Sequence, residues 1–282
     1  MKKITRRSFM AAAGLTVAAL ALTACGGSSS TASSAAASSV ASSAAASSEA
    51  ASAAATELTT VEAGKLTMAT NAAFPPYEMT TDAGEFEGID IDTAKAIAEK
   101  LGLELQIDDM DFDAALLSVQ QGKADIVMAG VTVTDERKAV MDFSDSYATG
   151  IQSIIVPEGS DIASPDDLAG KKIGTQRGTT GYIYCSDDFG DENVVAYDDG
   201  LTAVQALNNG QVDAVVIDNA PAKEFVAANP GLVILDTSYA EEDYAIGVAK
   251  GSSLKDAVNA ALEELKADGT LQAIVDKYIN AN

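Results

Sequence analysis

The stretch Leu117-Ser-Val-Gln-Gln-Gly122-Lys-Ala-Asp125-Ile-Val127 recurs in form as Gln205-Ala-Leu-Asn-Asn-Gly210-Gln-Val-Asp213-Ala-Val215. Each copy predicts the last turns of a helix, a glycine that ends it, and a buried strand opened by an aspartate. Two copies of one unit predict two similar α/β lobes. Because ligands bind at the carboxyl ends of the strands in open α/β sheets, two facing lobes would enclose a ligand cleft.

Strand and helix patterns alternate on both sides of these units, which predicts mostly parallel sheets flanked by helices. The last part of the chain, Ser253–Tyr278, has a helical pattern that is broken at Gly269. The predicted elements of the first lobe are strands at Leu66–Thr70, Leu103–Ile107 and Asp125–Ala129, and helices at Asp92–Leu101 and Ala114–Gln121.

Residues 1–24 have the pattern of an export signal. A basic segment, Lys2–Arg7, precedes an apolar stretch, and Leu22-Thr-Ala-Cys25 resembles a bacterial lipobox. That resemblance implies cleavage before Cys25 and a lipid on its sulfur. The segment Thr5–Met10 also resembles a twin-arginine signal, so the general secretory and twin-arginine routes both stay open.

The segment after Cys25 consists almost entirely of Ser, Ala, Gly and Thr up to residue 56. Such a composition cannot bury enough apolar surface to fold. The sequence therefore predicts a signal peptide over 1–24, a lipidated and disordered tether over 25–63, and a folded region from Gly64. No later segment reaches the roughly 18 continuous apolar residues of a membrane span, so the lipid is the expected membrane attachment.

Charge and composition exclude several functional classes. The chain has 282 residues with Lys+Arg 18 and Asp+Glu 42, and its formal net charge of −24 argues against nucleic-acid or anionic-membrane partners. It contains no His and two Cys, which removes histidine-dependent catalysis and the common zinc sites. We expect no cofactor, no metal and no disulfide.

Two arginines, Arg137 and Arg177, follow the signal peptide. A planar guanidinium suits a carboxylate ligand, although a surface ion pair of Arg137 with Asp135 or Asp142 is an alternative. Arg177 lies in a Gly/Thr-rich turn that would offer an anion the N–H groups of a helix N-terminus. The turn lacks the Lys-Ser/Thr ending of a nucleotide-binding loop, which argues against ATP.

Asp218 ends the strand of the second repeated unit. It would either cap the helix that follows or pair with a ligand ammonium group. Phe74 and Phe112 are either core residues or the walls of a small pocket, and periodicity does not separate the two interpretations.

The region from Gly64 to Tyr278 resembles the polar-amino-acid solute-binding proteins of ABC importers, extracellular solute-binding protein family 3. The resemblance implies a type II periplasmic-binding fold with a first lobe over 64–149 and 244–282 and a second lobe over 150–243. It also implies a monomer that binds a free amino acid without acting as an enzyme. The matching motifs, in the family's order, are Ala69–Glu78, Gly88–Asp92, Gly130–Arg137, Asp142–Ser144, Gly178–Thr180 and Asp218.

Carried over by position, the resemblance assigns Arg137 to the ligand α-carboxylate, and Asp218 with the Gly130 backbone to the α-ammonium. Two departures bear on the ligand side chain. Asn71 stands where binders of basic amino acids carry Asp, and Gln176 stands where some glutamine binders carry Lys, so a neutral polar side chain such as that of Gln, Asn, Ser or cystine is favoured. The complete implied set is Asn71, Phe74, Phe112, Gly130, Thr132, Arg137, Gln176, Thr179, Thr180 and Asp218.

The sequence thus predicts an extracytoplasmic lipoprotein that captures a polar amino acid by closing its cleft. It would deliver the ligand to permease and ATPase subunits encoded as separate chains. Two alternatives remain at this point: a ligand-binding sensor that signals to a receptor, and an enzyme resembling cyclohexadienyl dehydratase. The enzyme would need a general acid in the cleft, for which Glu78, Asp218 and the acids near Asp109–Asp113 are candidates.

Overall fold

The computed structural model describes residues 58–279. Cys25, the signal peptide and most of the tether lie outside the described residues. The strands are β1 Lys65–Thr70, β2 Ala73–Phe74, β3 Glu78–Thr80, β4 Phe86–Glu87, β5 Glu104–Asp109, β6 Ile126–Val127, β7 Met141–Pro157, β8 Ile173–Gln176, β9 Val194–Tyr197, β10 Ala214–Asp218, β11 Leu232–Ile234 and β12 Ala240–Ala249. The helices are α1 Ile89–Leu101, α2 Phe112–Gln120, α3 Asp135–Val140, α4 Thr180–Phe189, α5 Gly200–Asn208, α6 Asn219–Ala228, α7 Leu254–Ala267 and α8 Thr270–Ile279, with short 3-10 turns at Pro165–Leu168 and Asp191–Asn193.

Two sets of parallel strands are joined by a pair of long antiparallel strands. The order across the main sheet is β5-β1-β6-β12-β7-β10-β8-β9, and β11 pairs with β7. Strands β5, β1 and β6 are parallel and form the first lobe, whereas β10, β8 and β9 are parallel and form the second. This arrangement confirms the predicted α/β fold.

The crossover strands β7 and β12 run side by side between the lobes. They pair antiparallel from Gln152 opposite Ala240 to Met141 opposite Ala249. The lobe boundaries that the sequence suggests fall on Thr149 and Asp243, which are partners across this ladder. The division of the chain at these residues stays a prediction.

The repeated unit has the same local structure in both lobes. Helices α2 and α5 each end before a glycine in the left-handed region, Gly122 at φ 66° and Gly210 at φ 67°, where a side chain would be strained. Asp125 then accepts the backbone N–H of Thr67 at 2.8 Å, and Asp213 accepts that of Lys172 at 2.8 Å. In each lobe the aspartate therefore holds its strand against the next parallel strand.

Each predicted element of the first lobe is present, with ends that differ from the predicted ones by one to three residues. Helix α1 begins at Ile89 instead of Asp92, because the backbone N–H groups of Ile89 and Asp90 bond to the carbonyls of Pro76 and Tyr77 at 3.0 and 2.8 Å. Strand β6 is shorter than predicted, since the chain leaves the ladder after Val127 and turns at Gly130.

Helix α7 buries one face against the first lobe, with Leu254, Val258, Ala261, Leu262 and Leu265 at helical spacing. The left-handed Gly269 separates it from α8, which confirms the predicted break. Within residues 58–279, none of the helices combines the length and apolar character needed to cross a bilayer.

The repeat predicts unequal stability losses at its two aspartates. Asp125→Ala leaves the buried Thr67 N–H and the Val61 N–H without their acceptor, so we expect the free energy of unfolding to fall by about 3 kcal/mol. Asp213→Ala removes one exposed bond and should cost about 1 kcal/mol. Urea unfolding measures both, with the exposed Asp82→Ala as control, and equal losses at Asp125 and Asp82 would contradict the assignment.

Candidate functional site: the cleft between the lobes

One cavity brings together all ten residues of the predicted ligand site. Its free volume is about 10 Å³, room for about one water molecule, so the cavity is nearly closed. Most of its lining follows the carboxyl ends of parallel strands, as Asn71 does after β1, Gly130 after β6 and Asp218 at the end of β10. The lining residues are Asn71, Phe74, Glu78, Phe112, Ala129, Gly130, Thr132, Arg137, Gln176, Thr179, Thr180 and Asp218.

Arg137 projects into this cavity from the short helix α3. Thr134 caps the helix by accepting the Arg137 N–H at 3.2 Å, and the Arg137 residue is only 8% exposed. Its Nη1 donates to the carbonyl of Thr132 at 2.7 Å, and its Nη2 donates across the cleft to the carbonyl of Gly178 at 3.2 Å. The guanidinium also lies over the Phe112 ring at 5.3 Å.

No described carboxylate forms an ion pair with Arg137. Asp142 pairs with Lys250 at 2.8 Å, and Asp135 pairs with Lys138 at 3.7 Å, so the surface-pair interpretation of Arg137 is wrong. Burial lowers the pKa of the guanidinium, and the charges of Glu242, Tyr184 and Asp218 act in the opposite sense. Because a guanidinium stays protonated in proteins, the cavity contains a buried cation whose described side-chain hydrogen bonds go to neutral carbonyls.

The second lobe presents the N-terminus of α4 to the same cavity. Thr179 is the N-cap of this helix, accepting the N–H of Tyr182 at 3.4 Å and donating to the carbonyl of Gln176 at 2.8 Å. The hydroxyls of Thr180 and Thr132 lie 3.5 Å apart across the cleft. The positive end of the helix dipole therefore faces the side on which Arg137 lies.

Arg177 lies outside the cavity. Its side chain is 52% exposed and pairs with Asp198 at 3.5 Å. Backbone alternation explains the difference, because Gln176 faces the cleft and the next side chain points away from it. The Gly/Thr-rich turn thus contributes its threonines to the cavity and its arginine to the surface.

Asp218 is a buried carboxyl group that lines the cavity. It occupies the N-cap position of α6, but its side chain makes no capping hydrogen bond, so the capping interpretation is wrong. Its carboxylate accepts the Tyr244 hydroxyl and the Gln152 amide, the latter at 2.8 Å. Burial raises the pKa of Asp218 to about 7, while these hydrogen bonds lower it.

Asn71 and Gln176 close one side of the cavity. Gln176 Nε2 donates to Asn71 Oδ1 at 2.8 Å, and Asn71 Nδ2 donates to the carbonyl of Met110 at 2.9 Å. Phe74 and Phe112 are both buried, belong to hydrophobic clusters and line the cavity. Each ring is therefore both a core residue and a wall, and the two interpretations are compatible.

Sequence reasoning missed two polar residues of the crossover strands. Gln152 on β7 donates to Asp218 and also to Glu242 Oε2 at 2.9 Å, and Glu242 on β12 accepts the Thr132 hydroxyl at 3.1 Å. Gln152 was detectable as an amide that interrupts an apolar strand. Glu242 was not detectable from the sequence, because it lies within a run of acidic residues and such a run indicates an exposed segment.

Comparisons with known proteins agree with this architecture. Residues 66–281 match the family described as bacterial extracellular solute-binding proteins, family 3. The L-cystine-binding protein TcyJ of Escherichia coli (strain K12) is 33% identical over 226 residues, covering 78% of this chain and 85% of the relative. The ABC transporter glutamine-binding protein GlnH of Bacillus subtilis (strain 168) is 35% identical over 202 residues, covering 70% and 74%.

A solved structure shows the same fold. The arginine-, lysine-, histidine-binding protein ArtJ from Geobacillus stearothermophilus superposes with a TM-score of 0.74 at 34% identity, covering 77% of this chain and 96% of that structure. The family match spans the folded region, and it confirms the prediction of a binding protein over that of an enzyme. The chain belongs to the bacterial extracellular solute-binding proteins, family 3.

Proposed function

We propose that this protein binds a free amino acid with a neutral polar side chain and delivers it to an ABC importer. The observation that carries the proposal is the buried Arg137 guanidinium, which has no described carboxylate within ion-pair distance and lines the same cavity as the buried Asp218. A cation and an anion in one small cavity complement a zwitterion. The names of the relatives, which bind cystine, glutamine or basic amino acids, support a free amino acid as the ligand, whatever its side chain.

The ligand carboxylate is assigned to the Arg137 side of the cavity. A guanidinium holds a carboxylate with two parallel hydrogen bonds, and an ion pair inside a cavity is stronger than one in water. The Thr132 hydroxyl and the N-terminus of α4 at Thr179 and Thr180 add donors from both lobes. Only the closed state presents all these donors together, which is why the ligand would stabilise closure.

The ligand ammonium is assigned to Asp218 and to the backbone carbonyl of Gly130. Asp218 already accepts two hydrogen bonds from Tyr244 and Gln152, which fix the orientation of its carboxylate. A bound ammonium would stabilise the ionised form of this buried acid. The side chain of the ligand would then lie between Phe74 and Phe112.

The neutral character of the ligand side chain rests on Asn71 and Gln176. Both are uncharged amides that hydrogen-bond to each other, so neither supplies a counter-charge for a lysine or arginine side chain. Their spare amide groups suit a side chain that carries an amide, a hydroxyl or the second zwitterion of cystine.

The attachment of the protein to the membrane is proposed from the sequence. The lipobox at Leu22–Cys25 and the Ser/Ala-rich segment after it indicate a lipid anchor and a flexible tether. We propose that the protein is a monomer displayed outside the cytoplasmic membrane and that its permease and ATPase are separate chains.

The ligand proposal predicts that the two arginines respond differently to replacement by lysine. Arg137→Lys keeps the charge but loses the planar pair of donors, so we expect amino-acid affinity to fall by at least about 30-fold, about 2 kcal/mol. Arg177→Lys is the matched control and should bind as the wild type does, because that side chain is exposed. Calorimetric titration measures both, and an unchanged affinity in Arg137→Lys would remove Arg137 from the site.

The anchoring proposal predicts that Cys25→Ser releases the protein from membranes. Serine cannot form the thioether that carries the lipid, so the variant should move from the membrane fraction to the soluble fraction. Fractionation followed by immunoblotting measures the distribution, with Cys185→Ser as the control for loss of a thiol. Retention of Cys25→Ser on membranes would contradict the lipobox assignment.

A further inference from the structure

Tyr244 is a fully buried tyrosine on the crossover strand β12, and it is not among the described residues that line the cavity. Its hydroxyl donates to Asp218 at the end of β10. Its backbone pairs with Ala148 of β7 on one side and with Thr132 on the other. Tyr244 thus connects the strands that join the lobes with the acid that we assign to the ligand ammonium.

The Tyr244 ring fills a slot between two glycines. A Cβ atom on Gly150 of β7 would lie 2.6 Å from ring atom Cε1, and one on Gly130 would lie 3.4 Å from Cε2 at the opposite edge. The ring also packs edge-to-face on Tyr77, with the ring centroids 5.3 Å apart. Because a close-packed interior leaves little room for a displaced ring, the slot fixes the place of the hydroxyl.

The residue at position 150 is a glycine for a steric reason. Gly150 lies within β7 and has no positive φ, so its backbone conformation is compatible with a side chain. Non-bonded carbon atoms are most stable about 3.5–4.0 Å apart, so an alanine at this position would push the Tyr244 ring out of its slot. The residue type at position 150 therefore controls the place of a hydroxyl that reaches Asp218.

Asp218 receives one hydrogen bond from each crossover strand. Tyr244 of β12 donates to Oδ1, and Gln152 of β7 donates to Oδ2 at 2.8 Å. Because each oxygen has its own donor, the two bonds together set the plane of the carboxylate. Burial raises the pKa of Asp218 to about 7, and both bonds lower it because they stabilise the ionised form. Loss of the Tyr244 hydroxyl should therefore raise this pKa.

Several other titratable groups face Asp218, and one of them is a cation. They are Glu242 of β12, Glu78 of β3, Tyr77 in the turn before β3, and Arg137 of α3. Removing only the Tyr244 hydroxyl leaves all of them in the protein. A change in the titration of Asp218 in such a variant can therefore be assigned to the lost hydrogen bond.

We propose that Gly150 and Tyr244 form a positioning pair for Asp218. The glycine leaves the space that the tyrosine ring occupies, and the hydroxyl holds the Asp218 carboxylate in its orientation in the cleft. Both are positioning residues, since they act on the ligand site through Asp218. The contact with Asp218 stands by itself, whereas its effect on ligand affinity rests on the proposed function.

The first experiment measures the pKa of Asp218 from the carbon-13 NMR signal of its carboxyl group in the full-length, ligand-free protein, with Asp218→Asn to identify the signal. Tyr244→Phe keeps the ring but lacks the donor, so the pKa of Asp218 should rise by about one pH unit. An unchanged pKa of Asp218 in Tyr244→Phe would overturn the proposal.

Tyr239→Phe is the matched control for this titration. Tyr239 is also buried, and its hydroxyl donates at 2.6 Å to a different carboxylate, that of Asp188. The pKa of Asp218 in Tyr239→Phe should equal that of the wild type. A rise as large as the one in Tyr244→Phe would show a general effect of removing a buried hydroxyl and would overturn the assignment to Tyr244.

Calorimetric titrations with L-glutamine and L-cystine test the effect on the cleft. Tyr244→Phe should weaken binding by at least about tenfold at about pH 6 and by less at about pH 8, where more of its Asp218 is ionised. Gly150→Ala should also weaken binding at about pH 6. The double variant should bind within about threefold of Tyr244→Phe, because the hydroxyl that Gly150→Ala displaces is already absent.

Two results would overturn the positioning role. One is a loss of affinity in Tyr244→Phe that is the same at both pH values. The other is a double variant in which the two single losses of affinity add, since Gly150 would then not act through the Tyr244 hydroxyl. If the wild type binds neither compound, the proposed neutral ligand fails, whereas the NMR titration still decides the contact between Tyr244 and Asp218.

Discussion

The guanidinium of Arg137 is a buried charge that contacts carbonyl oxygens of both lobes, Thr132 on one side of the cleft and Gly178 on the other. Burying a charge without an ionic partner is unfavourable in free energy, and hydrogen bonds to two neutral carbonyls offset only part of that cost. The guanidinium keeps this position because the rest of the fold holds α3 and the turn at Gly178 in place. Under the proposed function a ligand carboxylate that enters the cavity would complete the interaction, so the same residue would account for affinity and for closure.

The anionic side of the cavity is organised by the strands that join the lobes. Gln152 on β7 donates to both Asp218 and Glu242, and Tyr244 on β12 donates to Asp218. Glu242 in turn accepts the hydroxyl of Thr132 from the first lobe. Since these contacts lie on the crossover strands, bending of those strands would change the geometry of the ammonium site. Under the proposed function, ligand binding and lobe closure would thus be coupled through one hydrogen-bond network.

Much of the fold could be predicted because it depends on local patterns. The repeat around Gly122 and Gly210 requires a left-handed glycine and an aspartate that holds the next strand, and both are visible in the sequence. The break at Gly269 is visible for the same reason. The start of α1 was misplaced because it is set by carbonyls of a distant loop, at Pro76 and Tyr77, which no local pattern reveals.

A residue of the candidate site could be predicted only where both its chemical type and its position in the family's motifs indicated a contact with the ligand. The ten predicted residues line one cavity, yet Arg177 and Arg137 could not be told apart by composition, because exposure depends on tertiary packing. Glu78, Asp90 and Glu242 are buried acids in a chain rich in surface acids, so their burial could not be inferred from the sequence.

The central claim, that a ligand α-carboxylate completes the buried charge of Arg137, is tested most directly by thermal unfolding of the refolded, ligand-free protein. Each common amino acid and cystine is compared with its carboxamide derivative, which keeps the ammonium and the side chain but lacks the carboxylate. At about 100 times its Kd, a ligand stabilises the folded state by about 2.7 kcal/mol. The account predicts that at least one amino acid raises the midpoint while its carboxamide does not. Equal stabilisation by both compounds, or no stabilisation by any amino acid, would contradict it.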